Sequence, residues 1–499
     1  MSYKFDLSHV HRDSDQSITT QLVELVRTAI EDGSLAPGAK LPTTRALVED
    51  AGVNHLTVVR AYKRLASEGF VTASRGRGTF VRQAPPSAAP ADGRWQHAVL
   101  PRAQRSYVSQ VVADTWHAPD AGDHINLANG WTADELLPVG ELAQLSAEVF
   151  AEVGAEALSY GEADGLWQLR EHLARIGLAS GFASDAEEIL VTNGARQAID
   201  LAIRTIIRPG DVVVTESPTF MGTLASLEES GARVFGAPYD DQGLDIVALE
   251  QILARHEVKA VVVQTASQNP TGQDMSIERV ERLLALARER SFFVIEDGVY
   301  ATIRFGTSEP SRMRLRAPDH VIYVDSLSKT LGGGLRVGWI AASGEARRRI
   351  SDLKLATDYH TPGLTQHIAA RWLAGGVHER HLTHLNAETG RRAEAMMRSI
   401  EQRLGDEVIA AEPKGGHHVW LTFHRPLDER LLMAEAMHQG MSFTPGGATT
   451  VEGDGLSGVR LSFPRFDEER IDEGVRRFAA SVRAARRAGS GARLAPVLS

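Results

Sequence analysis

Lys329 is the residue of this chain whose type and surroundings best suit covalent chemistry. It follows the apolar stretch His320–Val324 and precedes Gly332, Gly333 and Gly334, so a buried strand would deliver a lysine into a glycine-lined turn. A desolvated pocket with neighbouring cations lowers the pKa of an amine, and the neutral amine is the form that attacks a carbonyl carbon. The pattern predicts that Lys329 holds a carbonyl cofactor as a Schiff base, and pyridoxal 5'-phosphate is the candidate.

The region around Lys329 alternates short apolar runs with amphipathic helices, which predicts an α/β fold with a mostly parallel sheet. Ligands bind beyond the carboxyl ends of parallel strands, so polar residues at those ends are candidate ligand contacts. The runs predicted to be buried strands are Ile189–Thr192, Val212–Thr215, Ala260–Gln264, Phe292–Glu296 and Val321–Val324.

The strand ends offer groups that suit a phosphorylated pyridine aldehyde. Gly194 and Ala195 lie between a strand and a helix, where free backbone amides and the helix dipole bind phosphate. Asp297 is placed to pair with the pyridine nitrogen, and Asn269 and Tyr300 are placed to hydrogen-bond the phenolic oxygen. Each of these residue types is common at strand ends, so the prediction depends on their order along the chain. Two phosphate contacts and a ring-stacking aromatic complete the set: Ser326, Arg336 and Phe220.

Composition limits the class of protein to which the chain can belong. Its 499 residues suffice for about two or three domains. The absence of cysteine excludes disulfides, thiolate metal ligands and cysteine nucleophiles. There is no apolar run of about 20 residues and no signal-like apolar core at the N-terminus, so we expect neither a membrane span nor secretion, and a cytoplasmic location.

One short segment is basic although the chain is acidic. The net charge is −10, yet residues 40–82 hold eight basic residues against three acidic ones, which favours a nucleic-acid partner. The pattern predicts a first helix over Thr19–Ile30, a second from the capping residue Thr43 to Asp50, a glycine turn, and a third over Asn54–Glu68. Two short helices joined by a tight glycine turn indicate a helix-turn-helix.

Two short apolar stretches, Phe70–Ala73 and Thr79–Val81, follow the third helix. They predict a hairpin with Arg75 and Arg77 at its tip, as in a wing that meets phosphates or a minor groove. A merely solvated basic face is the alternative interpretation.

These motifs resemble the winged helix-turn-helix of the GntR superfamily over roughly residues 15–83. The similarity lies in residues 33–45, 56–65 and 76–81, and the chain has Asn54-His55 where that family usually has Ser-Arg. The resemblance implies a domain that binds double-stranded promoter DNA. Its expected DNA-binding residues are Arg45, Asn54, His55, Thr57, Arg60, Lys63, Arg75 and Arg77.

The order of motifs that ends in Lys329 resembles a class I aminotransferase of fold type I over roughly residues 124–485. The resemblance implies that Lys329 forms the internal aldimine of pyridoxal 5'-phosphate and that the strand-end residues named above hold that cofactor. It also implies that Tyr160 reaches the phosphate in the partner subunit, hence a homodimer. Arg460 matches the arginine that binds a substrate carboxylate, and a structural arginine is the alternative.

Together the two parts resemble the MocR family of transcription regulators. The predicted organisation is a winged helix at 15–83, a proline-containing linker at 84–123, an aminotransferase-like domain at 124–485 and a tail at 486–499. For residues 93–123 the alternative is a segment that leads into the large domain. The implied function is transcription regulation in which an amine or amino acid, or pyridoxal phosphate itself, is sensed by aldimine chemistry at Lys329. A working aminotransferase with a DNA-binding appendage is the alternative, and a winged helix that binds only proteins is a weaker one.

Overall fold

The computed structural model describes residues 5, 7, 10, 17–31, 33–74, 78–82, 106–117, 122–306, 312–451 and 458–492. The chain divides into two compact units, Met1–Gln104 and Arg105–Ser499. Within the described part, no helix has both the length and the apolar character needed to cross a membrane.

The smaller unit is a winged helix-turn-helix, as predicted. Thr43 and Asn54 cap the second and third helices by accepting hydrogen bonds from the backbone N–H groups of Ala46 and Leu56. Gly52 adopts a φ of 60° in the turn between these helices, a conformation that glycine takes without strain. The elements are α1 (Ile18–Glu31), α2 (Thr44–Ala51), α3 (His55–Ser67), β1 (Val71–Ser74) and β2 (Gly78–Val81), with β1 and β2 antiparallel.

The larger unit contains twelve helices and fourteen strands in its described residues. The helices are α4 (Tyr107–His117), α5 (Val139–Glu152), α6 (Trp167–Ser180), α7 (Ala195–Ile206), α8 (Met221–Glu229), α9 (Ile246–Leu253), α10 (Ile277–Arg290), α11 (Gly344–Asp358), α12 (Gly363–Ala374), α13 (Val377–Leu404), α14 (Glu429–His438) and α15 (Glu468–Ala492). The strands are β3 (Ile125–Asn126), β4 (Ile189–Thr192), β5 (Val212–Ser217), β6 (Arg233–Asp240), β7 (Gly243–Leu244), β8 (Val258–Val263), β9 (Phe293–Asp297), β10 (Val321–Ser326), β11 (Gly338–Ala341), β12 (Val408–Ala410), β13 (His418–Phe423), β14 (Met441–Ser442), β15 (Thr444–Pro445) and β16 (Gly458–Ser462).

An eight-stranded sheet in the order β4-β11-β10-β9-β8-β5-β6-β7 forms the centre of this unit. Its strands run parallel except β11 and β7, so the predicted α/β class is confirmed. All five predicted strands are present, and β5 and β10 extend two residues beyond the predictions, to Ser217 and Ser326. The carboxyl ends of β4, β5, β8, β9 and β10 therefore meet at one edge of the sheet.

A second, antiparallel sheet in the order β12-β13-β16-β15 supplies the other wall of the site. Helices α13 and α15 cover it, and their apolar residues Met396 and Phe478 share a core with Val419 and Leu461 of the sheet. Burial of this apolar surface fixes the strands β13 and β16, which carry His418 and Arg460.

The segment predicted as a linker differs from the prediction, because it contains helix α4. Tyr107, Val108, Val111 and Val112 recur at helical spacing and pack against Met221 and Ala448 of the larger unit. The proline-rich composition of the preceding residues hid this apolar stripe.

Candidate cofactor site and DNA-binding face

The turn between β4 and α7 has the features of the predicted phosphate-binding site. The first backbone N–H groups of α7 have no partner within the helix, and Gly194 enters it with a φ of 82°. Arg336 crosses the turn and donates to the carbonyl oxygen of Asn193 at 2.7 Å. A Cβ atom at Gly194 would lie 2.5 Å from the Arg336 guanidinium, so a larger residue here would displace the Arg336 side chain. Ser326 ends β10 and is buried.

Lys329 lies in the turn after β10, partly buried. Its Nζ donates to the carbonyl oxygen of Gly130 at 2.9 Å and lies 5.7 Å from the centre of the Tyr300 ring. Burial, with further contributions from Arg460 and Arg336, lowers the pKa of Lys329 to about 8, while Asp297 opposes the shift. The amine is therefore closer to its neutral, nucleophilic form than a solvated lysine.

Asp297 lies buried at the end of β9, and hydrogen bonds fix both of its oxygens. Gln264 Nε2 donates to Oδ2 at 2.7 Å, and the backbone N–H of Val299 donates to Oδ1 at 3.1 Å. Burial raises the pKa of Asp297, against the lowering effect of these donors and of Lys329. A protonated pyridine nitrogen is the kind of cation that such a carboxylate accommodates.

Arg460 is buried on β16 and makes no ion pair within the described residues. Its Nη1 donates to Asn269 Oδ1 at 2.8 Å, and its Nη2 donates to the Ala128 carbonyl at 2.6 Å and to Thr444 Oγ1 at 2.8 Å. Its Nε is buried and has no hydrogen-bond partner. Burial lowers the pKa of Arg460 to about 10, so it remains cationic at neutral pH. A buried guanidinium without a carboxylate suits an anionic ligand.

Tyr300 is held by a histidine that the sequence reasoning missed. Tyr300 Oη lies 2.9 Å from His418 Nε2. The neighbouring His417 donates through Nδ1 to the Gly130 carbonyl at 3.1 Å, and its Nε2 is buried without a partner. Burial and the nearby Lys329 lower the pKa of His417 to about 3, so this ring is neutral.

Phe220 and Tyr160 differ in placement. Phe220 precedes α8 and packs with Met221 and Ala448. The Tyr160 side chain is 90% exposed, and its ring lies 5.6 Å from the ring of His360. The protomer thus gathers the predicted cofactor residues at one end of the sheet but leaves Tyr160 outside this cluster.

These residues fit pyridoxal phosphate. The free amides of α7 and Arg336 suit the phosphate, the buried Asp297 carboxylate suits the pyridine nitrogen, and the Lys329 amine suits the aldehyde carbon. The positive φ of Gly194 is independent support, because glycine takes this conformation without strain and its missing side chain leaves room beside Arg336.

Several residues that position the site gave no recognisable signal in the sequence. Gln264 and Gly130 lie in segments without a chemical motif, and their roles depend on contacts more than 30 residues away. The adjacent histidines His417 and His418 could have been noted, since paired histidines before a strand are a distinctive pattern.

The predicted DNA-binding residues that the structure describes lie in the first turn of α2, at the cap of α3 and along α3. Arg45 is exposed and pairs with Glu49 at 3.2 Å. His55, Arg60 and Lys63 are exposed, and Thr57 is half-buried. Asn54 is used as the cap of α3, so its side-chain oxygen already accepts a backbone hydrogen bond. Arg75 and Arg77 lie outside the described residues.

Two protein families match the chain in separate regions. Residues 123–478 match the aminotransferase class I and II family, and residues 18–81 match the gntR family of bacterial regulatory proteins. The first match covers more than half of the chain.

Individual relatives are similar to the chain over nearly its whole length or over its larger part. The uncharacterized HTH-type transcriptional regulator YisV of Bacillus subtilis is 28% identical over 477 residues, 95% of this chain and 97% of YisV. The HTH-type transcriptional regulator TauR of Rhodobacter capsulatus is 29% identical over 489 residues, 94% of this chain and 97% of TauR. A solved structure of LysN, an α-aminoadipate aminotransferase of Thermus thermophilus complexed with N-(5'-phosphopyridoxyl)-L-leucine, superposes with a TM-score of 0.73 at 30% identity, covering 79% of this chain and 99% of LysN.

Proposed function

Because the chain belongs to the aminotransferase class I and II family and also carries a gntR-type winged helix, we propose that it is a pyridoxal-phosphate-dependent transcription regulator that senses an amine or amino acid at Lys329. The observation that carries this proposal is an aminotransferase-family unit, with residues that suit the cofactor, in a chain whose other unit matches a DNA-binding family. Similarity to TauR over nearly the whole length supports regulation as the main activity.

The cofactor supplies an aldehyde that exchanges the lysine amine for the amine of a ligand, and a ring that withdraws electrons. The residues of this chain prepare that exchange. Lys329, with its lowered pKa, is able to leave as a neutral amine near neutral pH. Asp297 would accept a hydrogen bond from the protonated pyridine nitrogen and keep it protonated, and the α7 amides with Arg336 would anchor the phosphate.

Arg460 is proposed to select effectors that carry a carboxylate. Its guanidinium is buried, cationic and free of carboxylate partners in the described structure, and its Nε retains an unused donor. A carboxylate would meet an opposite charge and the unused Nε–H donor. Asn269 connects this arginine to the edge of the sheet where the phenolic oxygen of the cofactor is expected.

Helix α4 packs against residues near the site and precedes them in the chain, directly after the N-terminal segment. Phe220, expected to stack on the cofactor ring, packs in the same apolar cluster as Val111 of α4. Tyr107 Oη at the start of α4 donates to Glu429 Oε1 at 2.5 Å, and Glu429 Oε2 accepts from the Gly447 backbone N–H at 2.8 Å. A ligand that moves Phe220 or residues 446–449 would therefore move α4, the element that follows the N-terminal unit in the chain.

A homodimer is part of the proposal, since Tyr160 is 90% exposed and is available to reach a second copy. Two copies would also present two winged helices to paired half-sites. A sedimentation measurement of the cofactor-loaded protein tests this, and a monomer at micromolar concentration would contradict it.

An absorbance titration tests the sensing function. The cofactor-loaded protein is mixed with amino acids and with matched amines, each with and without a 2-oxo acid. The proposal predicts that some of these ligands change the visible spectrum at equilibrium without continued product formation. Steady turnover that requires both substrates and leaves DNA affinity unchanged would identify an aminotransferase instead.

A further inference from the structure

His418 is oriented by two hydrogen-bond partners on different elements. It opens β13 opposite Ser462 of β16 and is 2% exposed. Its Nε2 lies 2.9 Å from Tyr300 Oη, and its Nδ1 lies 2.9 Å from Ser462 Oγ. Because both ring nitrogens are engaged, the ring plane is fixed relative to Tyr300.

The Gly130 backbone packs against a third side of the His418 ring. A Cβ atom at position 130 would lie 2.5 Å from His418 Cε1 and 3.4 Å from Tyr300 Oη. The Gly130 carbonyl also accepts from Lys329 Nζ. The histidine, the tyrosine and the lysine are therefore packed around one backbone residue.

The charges around His418 keep its ring neutral. Burial and the neighbouring Arg460, His417 and Lys329 hold the pKa of His418 well below its usual value. A neutral imidazole carries one N–H, and its position decides what Tyr300 can do. With the proton on Nε2, His418 donates to Tyr300 Oη, and the tyrosine keeps its own proton for another acceptor. With the proton on Nδ1, His418 Nε2 accepts a hydrogen bond from Tyr300 Oη, and the tyrosine has no proton left for another acceptor.

We propose that His418 is a positioning residue for Tyr300: its Nε2–H donates to Tyr300 Oη, so that the tyrosine presents its own proton to the phenolic oxygen of the cofactor. The Ser462 hydroxyl selects this tautomer by donating to Nδ1 at 2.9 Å, since its other acceptor, the Ala128 carbonyl, is 3.5 Å away. The inference rests on the placement of Tyr300 beside the phenolic oxygen in the proposed function.

The visible spectrum of the cofactor-loaded protein, titrated against pH, reports on this contact. Asp297, Lys329, Arg336 and Arg460 are the other charged groups that face the site, and they are retained in every variant. A donor to the phenolic oxygen stabilises its anionic state, so Tyr300→Phe should raise the pH midpoint of the spectral change by about one unit, the size expected for a hydrogen bond to a charged group.

His418→Phe keeps the ring volume and removes both nitrogens. It should raise the midpoint in the same direction by a smaller amount, and Ser462→Ala should raise it less again. The Tyr300→Phe/His418→Phe double variant should match Tyr300→Phe alone, because His418 acts only through the tyrosine. His418→Gln, which keeps an amide donor, should lie closer to the parent. His424→Phe, at an exposed histidine just beyond β13, is the matched control and should leave the midpoint unchanged.

Additive shifts in the double variant, or a lowered midpoint in His418→Phe, would overturn the inference. If His418→Phe fails to fold, the order of the Ser462→Ala, His418→Gln and Tyr300→Phe midpoints decides the question. A Tyr300→Phe variant with an unchanged midpoint would remove the premise, whereas an unchanged midpoint in His418→Phe alone would leave the proposed function intact. These spectral midpoints are measured without DNA or effector. Failure of this inference is therefore distinguishable from failure of the proposed sensing function.

Discussion

The winged helix and the cofactor site differ in the burial of the side chains that are predicted to contact their ligands. On the winged helix, Arg60 and Lys63 stand exposed on α3. In the cofactor site, Asp297 and Arg460 are buried and held by named donors and acceptors. Exposed charges contact phosphates at little cost in folding stability, whereas buried polar groups must be paired or left for a ligand.

The difference predicts how each region responds to substitution. A substitution on α3 should weaken DNA binding in proportion to the contacts removed, without disturbing the packing of other residues. A substitution in the buried site should affect one function, such as effector binding, and spare another, such as cofactor binding, because each side chain there has a distinct partner. Substitutions in the two regions test this contrast.

Arg460→Gln is expected to give the largest effect. Loss of a buried, hydrogen-bonded charge pair typically costs about 2–5 kcal/mol, so a carboxylate-bearing effector should bind about thirtyfold more weakly or worse. The cofactor spectrum and DNA binding without effector should persist, since Lys329 and Arg336 are unchanged. Spectral titration and a gel-shift series measure these quantities.

The control for Arg460→Gln is Arg348→Gln, at a side chain that is 75% exposed. It removes the same charge far from any buried partner and should leave effector affinity unchanged. An equal loss of cofactor in Arg460→Gln, or an undiminished response to the carboxylate-bearing effector, would count against the assignment.

The rate of cofactor attachment should depend on pH through Lys329. Its pKa of about 8 means that the neutral, reactive fraction grows between pH 7 and pH 9 and then levels off. We expect about a tenfold increase over this range, measured as the growth of the visible band after mixing apoprotein with pyridoxal phosphate. A rate that keeps rising to pH 10 would indicate a solvated lysine.

Arg60→Ala/Lys63→Ala should weaken DNA binding several-fold and lower the slope of log affinity against log salt by at most about two, one per phosphate contact. The spectrum and effector affinity should not change. Arg204→Ala/Lys259→Ala, which removes two exposed charges from the larger unit, is the matched control. An unchanged salt slope in the α3 variant would show that these residues do not meet DNA.

Tyr62→Phe should give the smallest effect and sharpen the contrast, since Tyr62 is a buried polar residue within the winged helix. Its hydroxyl donates to the Pro42 carbonyl at 2.9 Å. Removal of this hydrogen bond should lower the free energy of unfolding by about 1 kcal/mol, measured by urea denaturation, without changing the salt slope. A selective loss of DNA affinity would assign Tyr62 a role beyond folding.

The sequence predicted the parts of the fold that follow a simple period or a cap. The helix caps Thr43 and Asn54 and the strands that end near Gln264 and Asp297 lie where local patterns placed them. The strands β6 and β11 were not predicted, and β6 mixes exposed and buried residues, which obscures the pattern of a buried strand.

Contacts between distant segments were beyond the sequence. Nothing local links Gln264 to Asp297, Gly130 to Lys329, or His418 to Tyr300, because each pair meets only after the sheets have packed. The site residues could therefore be proposed individually from residue type and order, but the partners that orient them required the structure.

The most direct test of the account is the DNA affinity of the cofactor-loaded parent and of Lys329→Ala, each measured with and without the amino acid that changes the parent spectrum most. Both proteins should bind the promoter fragment without the amino acid. The amino acid should shift the affinity of the parent and leave that of Lys329→Ala unchanged, because sensing passes through the lysine amine. An equal shift in both proteins, or no shift in the parent, would contradict the account.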